Sequence, residues 1–334
     1  MSDLARVSVV LPFRDAAATI DDALRSIATQ SAADFECLLV DNCSSDSSRS
    51  RAAAVAARDP RFRVIASDGN LVQALNCGLA AAHGGLIARM DADDLCHPRR
   101  LEQQVAALDG DPTLSVVSCL VECFPAATLR DGLRRYQRWL NDLRTPEAIR
   151  NALFVESPIA HPSAMIRRDA LDAVGRYRDT GGPEDYDLWL RLLLAGHRAA
   201  KVPQVLLFWR DSARRLSRAD PRYDRRRFLA TKLAHFPTAV PSGHALDICG
   251  AGPTGRRWAR ALAGRGYSIR RFVDVAPKRW GTAIDGVPVC APPTLHDRRN
   301  FVLAAAGTPG AREAIEHWLE ASGLQPWRDY LAVA

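Results

Sequence analysis

No apolar run in the 334 residues approaches the roughly 18 that a membrane helix requires. No secretory leader is expected either, since Met1-Ser2-Asp3 runs toward a strand-like segment, without a basic stretch and an apolar core behind it. The expectation is a cytoplasmic protein. Paired cysteines are absent too. Eight cysteines (37, 43, 77, 96, 119, 123, 249, 290) are scattered with no CxxC, so reduced thiols, not a disulfide framework or a zinc ribbon, are expected. Nucleic acid is an unsuitable partner, because the one dense basic run lacks interleaved aromatics apart from Tyr223 and Phe228 and matches no known module.

What is present is a globular composition, 47% hydrophobic and 25% charged, in a chain long enough for two cores. The net charge of +7 is unevenly placed, since Arg210 to Lys232 holds nine Arg and Lys against Asp211, Asp220 and Asp224. Such a run is either a solvated face or, through Arg214–Arg227, a peripheral contact with the inner membrane face.

From residue 7 onward, strand-like and helix-like segments alternate with short connections. Strands are read at 7–11, 35–40, 62–65, 86–90, 114–119, 163–167 and 202–209. Helices start after Thr19 (a capping box is expected there), after Ser44 to Asp46, at Val72, at Arg99, at Arg168 and at Glu184. Residues 120 to 150 give no clear pattern. Alternation predicts an α/β fold whose mostly parallel sheet is covered by helices, with ligands at the carboxyl ends of the strands. Pro12, Asp41 and Asp91 to Asp94 all fall at those ends.

The stretch Leu86-Ile87-Ala88-Arg89-Met90 running into Asp91-Ala92-Asp93-Asp94 draws the eye. Three carboxylates within four residues, with no basic residue interleaved among them, repel one another. One Asp caps a helix; three call for a hard divalent cation carrying a ligand's phosphates.

A second unit is expected after a turn-rich joint at Pro237 to Gly243, giving domains 1–236, with 210–236 as the basic lead to the joint, and 237–334. Ala245 to Cys249 precedes Gly250, Gly252 and Gly255, and Asp274 follows 24 residues after the first glycine. That spacing between a strand and a helix fits the dinucleotide fingerprint, so a small Rossmann-like domain, with NAD(P) as a cofactor to be tested, is expected.

Residues 7 to about 217 resemble a family 2 glycosyltransferase of the GT-A fold. The resemblance rests on Val9-Val10-Leu11-Pro12-Phe13, Val40-Asp41-Asn42-Cys43-Ser44-Ser45-Asp46, Ala74-Leu75-Asn76-Cys77-Gly78, Met90-Asp91-Ala92-Asp93-Asp94 with Pro98-Arg99-Arg100-Leu101, and Gly182-Pro183-Glu184-Asp185-Tyr186-Asp187-Leu188-Trp189-Leu190-Arg191, in that order. It implies transfer of a sugar, with inversion, from a nucleotide-sugar donor to a hydroxyl of a glycan or lipid-linked acceptor in surface glycan synthesis. It further implies a donor pocket of Pro12, Phe13, Asp41, Asn76 and Asp91. Asp93, with Asp91, would hold Mn²⁺ or Mg²⁺, and Asp185, with Glu184 beside it, would take the acceptor proton.

Weaker matches are His161-Pro162-Ser163, Arg167 and Trp209-Arg210, while His83 and His97 read as structural. The departures from the family pattern are Asp15 in place of Asn, Ser212 where relatives place a His, and Asn70 where Gly is common, a position that implies left-handed backbone. Two other readings remain open. One is a nucleotide- or dinucleotide-binding protein, redox or regulatory through its C-terminal unit, with a catalytically weak GT-A domain. The other is a glycoside hydrolase, which also needs two carboxylates.

Overall fold

The computed structural model describes residues 5–32, 34–212, 215, 218, 220–292, 300–308 and 310–334. Met1-Ser2-Asp3, Arg214 and the end of the family-like stretch near 217 lie outside them. The chain divides into two compact units, residues 1–149 with 158–228, and residues 150–157 with 229–334. The division falls at Leu229 and not at 237, because helix Arg225–Ala239 runs on through Pro237.

In the first unit, β1 (Val7–Phe13), α1 (Ile20–Ala28), β2 (Phe35–Asn42), α2 (Ser48–Ala56), β3 (Phe62–Ser67), α3 (Leu71–Ala81) and β4 (Leu86–Arg89) follow one another. The order 3-2-1-4 is parallel throughout this half. The strands are continuous runs of buried apolar residues because helices cover both faces. Beyond β4 the sheet is mixed. It continues through β5 (Leu95–Cys96), α4 (Arg100–Gly110), β6 (Leu114–Phe124), α5 (Asp131–Asp142), α6 (Pro146–Asn151), β7 (Met165–Arg167), α7 (Arg168–Ala173), α8 (Glu184–Leu194) and β8 (Arg198–Arg210). β7 runs antiparallel between β4 and β6, and β5 pairs antiparallel with β8 at the far edge.

That order has a geometric consequence. β4 and β5 stand four places apart, about 19 Å in a flat sheet at roughly 4.8 Å per strand. Six residue steps reach about 20 Å only when fully extended. The connection instead contains a turn in which the Asp94 amide donates to Asp91 O, so the sheet must curl to let β5 reach its place.

Local caps differ from the sequence reading at two places, Thr19 and Asn70. Thr19 forms no capping box; its hydroxyl donates to Ala92 O at 3.0 Å. Within the expected stretch Ser44 to Asp46, it is Asp46 that meets the start of α2, accepting from the Ser48 amide at 2.8 Å. Asn70 is extended, not left-handed, and forms a full capping box with Gln73 on α3.

Behind the end of β4 lies a buried polar clamp. Arg100, 1% exposed, donates to Arg89 O at 2.7 Å and to Gln104 Oε1 at 3.1 Å. Gln104 donates in turn to Val117 O and Ser163 O. Each of these groups is buried, and an unpaired one costs far more than a pair gains. Gln104→Leu strands the Arg100 Nε and two carbonyls, so it should lower stability by about 2–4 kcal/mol in urea unfolding.

The second unit's sheet has β9 (Ala245–Cys249), β10 (Ser268–Val273), β11 (Ala283–Ile284), β12 (Val287–Cys290), β13 (Phe301–Ala304) and β14 (Tyr330–Ala332) in the order 11-12-10-9-13-14. All pairs but β11 with β12 are parallel. Numbered from β9, its five parallel strands have the 3-2-1-4-5 order of a doubly wound sheet. β12, unread in the sequence, supplies the third strand.

Candidate active site

The acidic turn is held at every step. Arg89 closes β4 with its side chain only 5% exposed, and its guanidinium pairs with Asp91 Oδ1 at 2.6 Å and donates to Met90 O. Thr19 holds Ala92 O. Arg210, at the end of β8, donates through Nε to Asp93 O at 2.6 Å and through its amide to Asp94 Oδ1 at 2.7 Å, while its guanidinium lies over Phe124. Arg215 stacks 3.7 Å above Trp209 and acts electrostatically on Asp93 and Asp94. The expectation that no base offsets the acids is thus corrected. Arg89 sits two residues before Asp91, and Arg210 and Arg215 arrive from the other end of the unit.

Carboxylate oxygens of Asp91, Asp93 and Asp94 lie within 4.8 Å of one another. Asp94 is 1% exposed, and its Oδ2 has no hydrogen-bond partner. Burial, then repulsion from Asp91, pushes the Asp93 carboxyl up to about 6, against the pull of Arg215 and Arg89. Burial and the same repulsion raise Asp94 further. These are clustered hard oxygen donors short of positive charge. They fit a divalent cation, with Asp93 and the unpaired oxygen of Asp91 as the partly exposed ligands.

The sequence pair at the start of α8 splits. Glu184 is 2% exposed and accepts from the Tyr223 hydroxyl at 2.9 and 2.7 Å. His161 lies 3.8 Å from it and shares a 2.7 Å hydrogen bond with Tyr177 OH. Burial and the Arg89 charge hold that imidazole neutral. Asp185 is half-buried, and burial followed by the Glu184 charge pushes its carboxyl up to about 8. Arg89 acts on Glu184, Asp185, Tyr177 and His161 alike, so the acidic turn and the start of α8 share one electrostatic neighbourhood.

Other expected donor-side residues are placed less uniformly. Asp41 is buried at the end of β2, accepts from the Ser44 amide through Oδ1, and has Arg49 at 3.5 Å from Oδ2. Pro12 stands opposite Val40 in β1, one step before the register partner of Asp41, Phe13. Phe13 belongs to the apolar core with Ile20 and Leu24, and Asn76 spends both amide atoms on the Tyr177 backbone. Asp15 accepts from the Ser45 amide at a left-handed backbone position, as an Asn side chain would. Ser212 is half-buried after β8. Arg167 supports α4 and β6 through Leu108 O and Leu114 O. His83 pairs with Glu36, and His97 accepts from the Arg99 amide.

In the second unit the fingerprint is built, and its residues are spent on packing. A Cβ on Gly255 would stand 1.8 Å from Gly250 O, and Gly250 itself has φ +109°. Asp274 accepts from the amides of Ala251 and Ala276 and from Arg279. Both of its oxygens are therefore occupied by the loop they organise, and Gly252 stands as the N-cap of helix Pro253–Ala263. Nothing in these contacts supports the expected NAD(P): the Asp274 carboxylate serves the protein's own main chain and Arg279.

Comparison with known proteins then decides the family. Residues 8–175 match the family model for glycosyl transferase family 2. The chain belongs to that family. Its curled sheet is a GT-A fold. Among relatives, it is 31% identical to the putative glycosyltransferase EpsE of Bacillus subtilis over 64% of this chain and 76% of that one. It is 32% identical to the amylovoran biosynthesis glycosyltransferase AmsE of Erwinia amylovora over 41% of this chain, spanning 49% of AmsE's length. The mannosyltransferase PcManGT of Pyrobaculum calidifontis, solved with GDP-Man and Mn²⁺, shares the fold with a TM-score of 0.54 and 21% identity, over 97% of this chain and 82% of that one. No described helix is long and apolar enough to cross a membrane.

Tyr177 escaped the sequence reading, as did the site roles of Tyr223, Thr19 and Arg215. Arg89 need not have, since an arginine inside an apolar strand announces a buried partner. Because the folded state raises the Glu184 carboxyl above its unfolded range, ionised Glu184 costs stability, and that cost grows as pH rises. Tyr223→Phe removes the donor that eases it. Urea unfolding should show a loss of about 1.5–3 kcal/mol at pH 8 and a smaller one at pH 5.

Proposed function

We propose that this family 2 enzyme is a metal-dependent inverting glycosyltransferase that moves a sugar from a nucleotide-sugar donor to a hydroxyl of a surface glycan or lipid-linked acceptor. The observation that carries the reading is the neighbourhood of Asp91–Asp94 and Asp185 around Arg89, two groups of carboxylates that one buried guanidinium acts on together. The name of AmsE supports a surface polysaccharide as product, and the contents of PcManGT support a donor and a divalent ion of these classes.

Asp93 and Asp91 would hold Mn²⁺ or Mg²⁺, which supplies Lewis-acid stabilisation of the departing diphosphate. Asp41 accepts from a base imino group through Oδ2, where the 3.5 Å Arg49 contact is long enough to be displaced. Arg89 keeps Asp91 in place through its ion pair. The acceptor hydroxyl attacks the anomeric carbon as the bond to the donor phosphate oxygen breaks, and its proton passes to Asp185. A raised carboxyl is a stronger base than an ordinary one, which suits proton abstraction from a hydroxyl. Glu184, enclosed by Tyr223 and His161, supports that site from behind.

Thermal melting with UDP or GDP should rise when Mn²⁺ is added, and Asp93→Ala should abolish the metal-dependent part of the shift. The reading fails if neither nucleotide binds with Mn²⁺ and no nucleoside diphosphate is released from any of a panel of nucleotide sugars.

Asp185→Asn should keep the nucleotide shift and lower transfer by about 10²–10⁴-fold. The wild-type kcat/KM should rise about tenfold per pH unit below 8 and level off above it, since the base works only when ionised. A flat profile across that range would assign the proton to another group.

A further inference from the structure

The basic run singled out in the sequence is largely consumed inside the fold. Arg210 holds Asp93 and Asp94, Arg215 covers Trp209, Arg218 pairs with Asp211, Arg222 pairs with Asp220, and Lys232 is buried against Val155 O. Arg225, Arg226 and Arg227 of that run stay exposed, and a second exposed basic segment lies at 130–144, in the part of the sequence that showed no pattern.

That segment carries Arg130, Arg134, Arg135, Arg138 and Arg144 against Asp131 and Asp142, a balance of +3. All five arginines are exposed, and among the described residues Arg130, Arg134, Arg135 and Arg138 stand in no ion pair with an acid. Helix α5 is sharply two-sided. Leu133, Tyr136, Trp139 and Leu140 pack toward the core, and the arginines occupy the other side. Leading into it, Pro125, Ala126, Ala127 and Thr128 are all exposed, three of them apolar.

The helix is fixed to the sheet and does not hang free. Asn141 donates to Val121 O and accepts from its amide, and Gln137 accepts from the Cys123 amide. Tyr136 stacks on Trp139 and lies 6.4 Å from Trp209, the residue before the arginine that holds the acidic turn. A surface seated on α5 is therefore in rigid register with the candidate active site.

We propose that α5 and the exposed 125–128 loop form a docking surface for a bilayer with anionic headgroups. A row of arginines with no acid partner complements such a surface, and a small apolar loop enters the headgroup layer at little cost. This rests on the glycosyltransferase reading only for its purpose, which is to bring the site to a lipid-linked acceptor. The binding itself is independent of turnover.

Vesicle co-sedimentation of the full chain separates the two. Wild type should bind phosphatidylcholine vesicles containing phosphatidylglycerol, release on raising NaCl, and ignore phosphatidylcholine alone. R134E/R135E/R138E should reduce partition about 100-fold with the nucleotide thermal shift unchanged, R134K/R135K/R138K should retain binding, and R225E/R226E/R227E should leave it intact. If the glutamate variant fails to melt cooperatively, R134Q/R135Q/R138Q gives the same reading with a smaller loss. Absence of wild-type binding to anionic vesicles, wild-type-like binding by the glutamate or glutamine variant, or loss of binding on substitution at 225–227 overturns the proposal.

Discussion

Three carboxylates in four residues at the end of a buried strand form a local excess of negative charge that the protein compensates from three directions. Arg89 comes from the strand itself, Arg210 from the last strand of the same sheet, and Arg215 from the segment after it. Hydrogen bonds from Thr19 and the Arg210 main chain fix the turn's shape. Compensation is incomplete: Asp93 and Asp94 remain raised, so the turn is preformed and still short of positive charge. A site built this way binds a cation without first having to assemble its ligands.

The same requirement accounts for the curl of the sheet. β8 must bring Arg210 to the acidic turn, and β5, which leaves that turn, must pair with β8. A flat mixed sheet would hold those two ends about 19 Å apart. Curling closes that distance, and the antiparallel β7 fills the gap between the parallel half and the β6–β8 pair. The Arg100–Gln104 clamp then anchors the end of β4 to β6 and to the turn before β7, exactly where the curvature is spent on positioning the acids.

The parallel half of the fold was legible because its strands are largely apolar runs separated by short helices, and strand ends in such a sheet announce a ligand site. The acidic turn and the Glu184-Asp185 pair were legible for the same reason, as charge where apolar patterning stops. What stayed hidden depends on distant partners. Nothing local distinguishes Asn76, which holds Tyr177, from a ligand-binding amide, or Phe13, which faces the core, from a pocket wall. The glycines of the second unit were read correctly as a strand-to-helix turn. For their acidic partner, Asp274, spacing cannot tell whether the carboxylate points at a ribose or at the main chain beside it, where it accepts from the Ala251 amide. A linear count of charge also hides where it is spent: Arg210, Arg215, Arg218, Arg222 and Lys232 are held within the fold, while Arg225–Arg227 and the arginines of α5 are exposed.

The adjacent acids at the start of α8 show how two identical functional groups acquire different work. On consecutive helical positions they point apart, so one is enclosed and the other is left half-exposed. Tyr223 donates to both oxygens of Glu184 and favours its ionised form, and a charged Glu184 disfavours ionisation of Asp185 next to it. Arg89 opposes that effect on Asp185 and at the same time neutralises Asp91, so a single buried guanidinium links the basicity of one group to the charge of the other. Neighbouring titratable groups pushed apart by their surroundings are the usual origin of an acid–base assignment. Here the division is made by one tyrosine hydroxyl and one arginine, neither of which belongs to the carboxylate motif that first drew attention to the site.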